Sequence, residues 1–215
     1  MTFIVDIKDF DEALFKKAFE CEKKLLPQKL FQSNKNHSVL GRVLLGYALE
    51  NVFDIRAFSL KYTHSMKPYI SGQNVFFNIS HSGNFVMCSV SAGAVGCDVQ
   101  EIVEYKPKIA KRFFTEKEQK LLEESQQKKE LFTKLWALKE SILKKDGTGV
   151  SGGLSTYCFA DSVNKDSFTK YGNYFTVSKL EGAYAAICSV KFENVPVEVS
   201  REQIIKYMDK TLKGD

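Results

Sequence analysis

Residues 68–97, PYISGQNVFFNISHSGNFVMCSVSAGAVGC, contain no Asp, Glu, Lys or Arg. A run of 30 uncharged residues is long enough to cross a bilayer. Its scattered Gly, Asn, Ser, Gln and His would leave polar groups unsatisfied in hydrocarbon, so the run reads as buried strands of a water-soluble domain. Three strands are expected, over 75–80, 84–91 and 95–100. The turns His81-Ser82-Gly83 and Ala92-Gly93-Ala94 separate them and suggest an antiparallel meander.

Outward from this run the pattern alternates. On the N-terminal side, residues 11–26 predict a helix with Leu14, Phe15, Ala18 and Phe19 on one face, and residues 37–51 a mostly apolar second helix. On the C-terminal side, helices are expected over 116–124 and 130–145, strands over 154–160, 174–180 and 183–192, and a closing helix over 201–212. A spacing of 100 residues relates Cys88-Ser89-Val90 to Cys188-Ser189-Val190, and Val95, Asp98 and Val99 to Val195, Glu198 and Val199. Two related halves, or coincidence among common strand residues, account for this echo; if the halves are real, a ligand belongs in the cleft between them.

The 215 residues are 44% apolar and 27% charged, which excludes disorder as the main state and a disulfide scaffold. Lys and Arg number 31 against 26 Asp and Glu, a net +5 that is too weak to argue nucleic acid on its own and suits an acidic surface or a phosphate-rich ligand. The five cysteines form no CxxC pair and read as reduced thiols of a cytoplasmic protein. The N-terminal stretch carries early acids and no apolar core, unlike a signal peptide, and in this compartment the Asn78-Ile79-Ser80 sequon is not used.

Several stretches carry chemistry. In Val95–Gln100 the side chains alternate, so Val95, Cys97 and Val99 face one way and Gly96, Asp98 and Gln100 the other. The second face is either a solvent-facing edge or a set of hard oxygen donors beside a glycine that lets another group approach. In the helix around Trp136, Leu131, Leu135, Leu138 and Ile142 share one side, Lys139 falls inside the apolar arc, and Glu140 lies one turn before Lys144. That is a surface ion pair with a snorkelling lysine, or a carboxylate and two ammonium groups at the rim of a core. Thr115-Glu116-Lys117-Glu118 is a capping box. Gly147–Gly152 matches GxGxxG, but it follows a helix and precedes a strand, so it reads as a helix-ending loop. His37, His64 and His81 share no zinc pattern, and no GxSxG elbow accompanies the serines beside His81.

In order along the chain, Lys67-Pro68-Tyr69, Phe77-Asn78-Ile79-Ser80-His81-Ser82-Gly83, Gly96-Cys97-Asp98-Val99-Gln100, Arg112-Phe113-Phe114 and Trp136-Ala137-Leu138-Lys139-Glu140-Ser141-Ile142-Leu143-Lys144 closely resemble the Sfp-type 4′-phosphopantetheinyl transferases. The resemblance runs from about Arg42 to Leu154 and implies an α+β fold of two pseudo-two-fold-related halves, each a small antiparallel sheet packed with a long helix. Those halves would be residues 1–101 and 102–215. It implies transfer of the 4′-phosphopantetheine of coenzyme A to a serine of an apo acyl or peptidyl carrier protein, with release of 3′,5′-ADP and use of Mg²⁺, or Mn²⁺ in its place.

By position, Asp98 and Glu140 match the family's metal ligands, and Gln100 stands where Glu is common, so the site loses a charge. Ser80 and His81 match the pair that holds the 3′-phosphoadenosine end, Lys67 and Arg42 further nucleotide contacts, and Lys144 the lysine at the pyrophosphate. Lys29 matches a phosphate-binding lysine at a shifted spacing, and Glu118 a glutamate near the site. Catalysis is thus expected from Glu140, Lys144 and Asp98. A monomer acting without nucleic acid or membrane is expected. A non-catalytic coenzyme A-binding module and a weak nucleic-acid binder are the alternatives. Residues 104–145 hold 12 cations against 7 anions, which places the whole excess charge there, and Lys111 and Arg112 are the expected carrier-docking residues.

Overall fold

The computed structural model describes residues 1–27, 35–149 and 153–214. In chain order its elements are β1 (Thr2–Asp6), α1 (Glu12–Leu25), α2 (Asn36–Phe53), β2 (Leu60–Tyr62), β3 (Pro68–Ile70), β4 (Phe76–Ser82) and β5 (Phe85–Ser91). There follow β6 (Val95–Glu101), α3 (Pro107–Phe113), α4 (Glu116–Glu124), α5 (Lys128–Asp146), β7 (Ser167–Lys170), β8 (Asn173–Leu180), β9 (Ala183–Ser189), β10 (Val197–Glu198) and α6 (Arg201–Lys213). The fold class is α+β, as expected. The chain divides into one unit of Met1–Gly93 with Pro196–Asp215 and a second of Ala94–Val195.

The first unit holds a sheet in the order β10–β1–β5–β4 and a separate β2–β3 hairpin. Strand β10 runs parallel to β1; the other pairs are antiparallel. Strand β5 lies between β1 and β4 and is buried from Val86 to Ser91, which is why this part of the sequence carries no charge. Val86, Cys88 and Val90 join one core with Leu40, Leu44 and Leu45 of α2 and Ile204 and Met208 of α6. Helix α2 is buried without a break from Val39 to Gly46, as an apolar-all-round helix must be. The β4–β5 turn is two residues long, and Gly83 takes the positive φ of 52° that such a turn requires.

The second unit holds an antiparallel sheet in the order β6–β9–β8–β7, with α5 packed across β6 and β9. Leu135, Leu138 and Ile142 of α5 meet Phe175, Val177 and Ala186 of the sheet. The capping box at α4 is formed in both directions: Thr115 accepts from the Glu118 backbone, and Glu118 accepts from the Thr115 backbone. Helix α5 ends on Gly147 in the left-handed region at φ 72°.

Three sequence expectations change. Strands β4 and β5 pair as a hairpin, but the third strand of the expected meander, β6, pairs instead with β9, from Val95 with Ser189 to Glu101 with Ala183. The expected division at 101/102 therefore falls at 93/94, and α6, packed on α1, returns to the first unit. Residues 154–160 make a 3-10 turn at Leu154–Thr156 rather than a strand, with Phe159 buried in the core. Of the GxGxxG stretch, residues 150–152 lie outside the described residues, as does Lys29.

The 100-residue echo has a structural basis in its first part only. Cys88 stands in register between Phe3 and Ile79, and Cys188 between Gly96 and Phe175, each in the middle row of a three-strand segment. Each unit runs strand, helix, hairpin in the same order. The second part fails on pairing: β6 runs antiparallel to the hairpin strand β9, whereas β10 runs parallel to β1 and pairs with no hairpin strand of its sheet. No helix among the described residues is long and apolar enough to cross a membrane.

Candidate functional site

Gly96 sets the geometry of the second unit's polar cluster. A Cβ on it would lie 2.1 Å from the Ser141 carbonyl oxygen and 2.3 Å from the Lys145 amide nitrogen. The close approach that the sequence anticipates here is that of the α5 backbone. With β6 and α5 this near, Asp98, on the same strand face as Gly96, meets Lys144 at 2.5 Å from Nζ to Oδ1. Asp98 is 4% exposed, and Glu140, one turn before Lys144, is half-buried.

The electrostatics follow from that packing. Burial raises the pKa of Glu140, the charge of Asp98 raises it further, and Lys144 opposes both. For Lys144, burial acts to lower the pKa, but the charge and hydrogen bond of Asp98, with Glu140, outweigh it and hold the ammonium above its usual range. Two carboxylates that feel each other, with the Gln100 side chain on the same strand face, make an oxygen donor set that fits a hard divalent cation. Among the described residues no three His, Cys, Asp or Glu gather, so any cation here rests on two carboxylates and neutral donors. Gln100 also lines a cavity of about 200 Å³ with Val103, Lys106, Ile109, Phe132, Thr133 and Trp136.

Where the sequence suggests a snorkelling Lys139, the structure buries it completely. Its Nζ lies 2.8 Å from Glu118 Oε2, itself fully buried, and donates to the carbonyls of Leu154, at 2.9 Å, and Tyr157. Glu118 also accepts from the amide of Phe159 at 2.9 Å. Sequence reasoning finds the cap in Glu118 but misses this pair, although a cation inside an apolar arc was a signal for it.

The remaining predicted residues lie in the first unit. Ser80 is buried in β4 opposite Met87, while His81, next along the strand, is exposed. The His81 ring stands 5.4 Å from that of His37, whose Nε2 donates to the Gly83 carbonyl at 2.7 Å. Lys67 starts the β3 arm of the small hairpin, its amide donating to Thr63 Oγ1 at 3.1 Å. Arg42 is 7% exposed and donates from Nε to Glu22, tying α2 to α1.

Comparison with known proteins points to one family. Residues 94–188 match the 4′-phosphopantetheinyl transferase superfamily. The chain is 29% identical over 131 residues to the 4′-phosphopantetheinyl transferase Sfp of Bacillus subtilis, covering 59% of this chain and 58% of that protein. It is 30% identical over 146 residues to another 4′-phosphopantetheinyl transferase of Bacillus subtilis, covering 65% of each. With the 4′-phosphopantetheinyl transferase psf-1 of Bacillus pumilus it shares 33% identity over 132 residues, 59% of this chain and 57% of that one. The chain thus spans about three fifths of the length of these relatives.

Proposed function

We propose that this chain is a member of the 4′-phosphopantetheinyl transferase superfamily and transfers the 4′-phosphopantetheine arm of coenzyme A to a serine hydroxyl of an apo acyl or peptidyl carrier protein. The observation that carries the reading is the convergence of Asp98, Glu140 and Lys144 over Gly96, inside the segment that matches the family.

In the proposed reaction the serine oxygen bonds to the β-phosphorus of the coenzyme's pyrophosphate. The bond from that phosphorus to the bridging oxygen breaks, and 3′,5′-ADP leaves with the electron pair. Glu140 accepts the serine proton. Lys144, held by Asp98, carries its charge against the pyrophosphate oxygens as negative charge grows there. Asp98 and Glu140, with Gln100 as a neutral third donor, are the residues that would hold Mg²⁺, or Mn²⁺ in its place. When bound, the cation supplies charge neutralisation at the pyrophosphate. In the first unit, Ser80 and His81 are assigned to the 3′-phosphoadenosine end and Lys67 to a further phosphate or nucleotide contact, by their match to the family's residues. Arg42, which also matches a nucleotide contact of the family, is paired with Glu22.

The carrier is assigned to the basic face of α3. Many cations of residues 104–145 are already engaged: Lys139 with Glu118, Lys144 with Asp98, Lys129 with Glu104, Lys120 with Glu124 and Lys145 with Asp146. Lys106, Lys108, Lys111 and Arg112 stand exposed, a patch suited to an acidic partner.

The test is direct. Purified protein is incubated with coenzyme A, Mg²⁺ and several apo carrier proteins, and each carrier is weighed by mass spectrometry. The expected result is the mass increase of one phosphopantetheine on at least one carrier. Coenzyme A that binds without modifying any carrier would overturn the reading.

A further inference from the structure

Helix α5 is held in place by two kinds of contact. On one side, Gly96 lets the α5 backbone at Ser141 and Lys145 press on β6. That contact fixes how close the helix comes to the strand, but an unadorned glycine does little to fix the helix's rotation about its own axis. On the other side, Lys139 reaches into the core and ends among three oxygens: Glu118 Oε2 and the carbonyls of Leu154 and Tyr157. Glu118 is fixed in turn by the amides of Thr115 and Phe159 and by the Thr115 hydroxyl. The surrounding walls are apolar, and Lys139 Nζ lies 5.4 Å from the centroid of the Phe114 ring. A residue next to Lys139 in the helix turns with it, and that residue is Glu140.

We infer that the buried Glu118–Lys139 ion pair is a positioning device that sets where Glu140 stands against Asp98. This inference rests on the transfer reading above. The pair is costly as a stabilising element. Two charges taken out of water gain little over apolar residues of the same volume, so stability alone is a weak reason for it. What such a pair does supply is direction. Lys139 satisfies its donors in one place only, and a slip or rotation of α5 by a fraction of a turn breaks all three of its contacts. An apolar side chain at position 139 would tolerate several nearby seatings of the helix. Glu118 and Lys139 touch neither the donor set nor the proposed substrates, so both act through Glu140.

The test uses the full chain with Glu118→Gln and Lys139→Met made together, a neutral pair that leaves no uncompensated buried charge. The folded fraction at the assay temperature is measured, and kcat is expressed per folded molecule. The expected result is a kcat about 10- to 100-fold lower, the scale of a displaced catalytic group, with the KM for coenzyme A unchanged within about threefold. Placed in a Glu140→Ala background, the neutral pair is expected to cost nothing more, because what it positions is already gone. Mn²⁺ binding, titrated by electron paramagnetic resonance without substrate, is expected to weaken about tenfold, on the scale of losing ligand orientation. An unchanged kcat per folded molecule together with unchanged Mn²⁺ affinity would overturn the inference, and so would a full additive loss in the Glu140→Ala background. Wild-type protein that modifies no carrier would sink the transfer reading instead, and the Mn²⁺ titration would still decide the positioning role.

Discussion

In the first unit the glycine at the helix–sheet contact sits in the helix, Gly41 of α2; in the second it sits in the strand, Gly96 of β6. A Cβ on Gly41 would meet the Ile79 Cγ2 methyl at 2.7 Å, a side-chain atom, whereas the three atoms nearest a Cβ on Gly96 are all backbone. The two units share the order of strand, helix and hairpin, yet they use their long helices differently. Helix α2 is apolar on every side along its middle, and its one buried charge, Arg42, is matched by Glu22 of α1. Helix α5 carries Lys139 into the core and Glu140 and Lys144 to the polar cluster. The teaching is that the same scaffold serves as packing in one unit and as a mount for charge in the other. The mount requires strand and helix backbones in direct contact, so that a short carboxylate such as Asp98 can reach a helix residue.

The sharpest way to break that contrast is to remove the chemistry from α5. Glu140→Ala is expected to lower kcat for carrier modification by roughly 10²–10⁴-fold, the span of a lost general base. Because Glu140 is half-buried at a rim rather than in the core, the thermal midpoint and circular dichroism should stay close to wild type. Near-normal transfer by this variant would show that α5 is as passive as α2.

The next test compares the two glycines directly. Gly96→Ala is expected to destabilise by the upper part of the roughly 1–3 kcal/mol that overpacking costs, because backbone at 2.1 Å cannot step aside as a side chain does. Its activity should fall as well, since pushing α5 away separates Lys144 from Asp98. Gly41→Ala meets a branch methyl that yields only with a shift of the Ile79 side chain; against that cost it gains up to about 1 kcal/mol of helix propensity, so its net loss should be smaller than that of Gly96→Ala. Denaturant melts of both variants check the pair. Equal losses would mean that the two contacts are equivalent after all.

How much of this was legible beforehand differs by region. Residues 116–124 read as a helix because the capping box marks its start, and the structure places α4 there. That Gly96, Asp98 and Gln100 share one face of β6 was legible because strand periodicity assigns sides without reference to any partner. What β6 pairs with was not legible: adjacency in sequence favoured β5, and its partner is the far strand β9. Strand β1 escaped notice because a five-residue apolar segment at the chain start carries no turn signal. The buried Lys139 was ambiguous because its partner lies in another helix, and periodicity alone does not tell a snorkelling cation from a paired one. The His37–His81 contact was hidden for the same reason, since α2 and the β4–β5 turn meet only in three dimensions.

The smallest effect expected comes from the surface of the second unit, at the exposed cations of α3. Lys111 and Arg112 are exposed in the last turn of α3, where cations also complement the helix dipole. Reversing both to Glu leaves Asp98, Glu140 and Lys144 in place, so kcat at saturating carrier should hold. An acidic carrier approaches by long-range attraction, and rim charges act mainly on that approach. The expected outcome is a KM for carrier raised by a few-fold to about tenfold at low salt, with the KM for coenzyme A unchanged. The gap should close as ionic strength rises, because beyond a Debye length of about 8 Å at physiological salt exposed charges are largely screened. A carrier KM that does not move at low salt would remove α3 from the docking surface. A KM that rises equally at all salt concentrations would mean that the reversal had distorted the helix rather than its field.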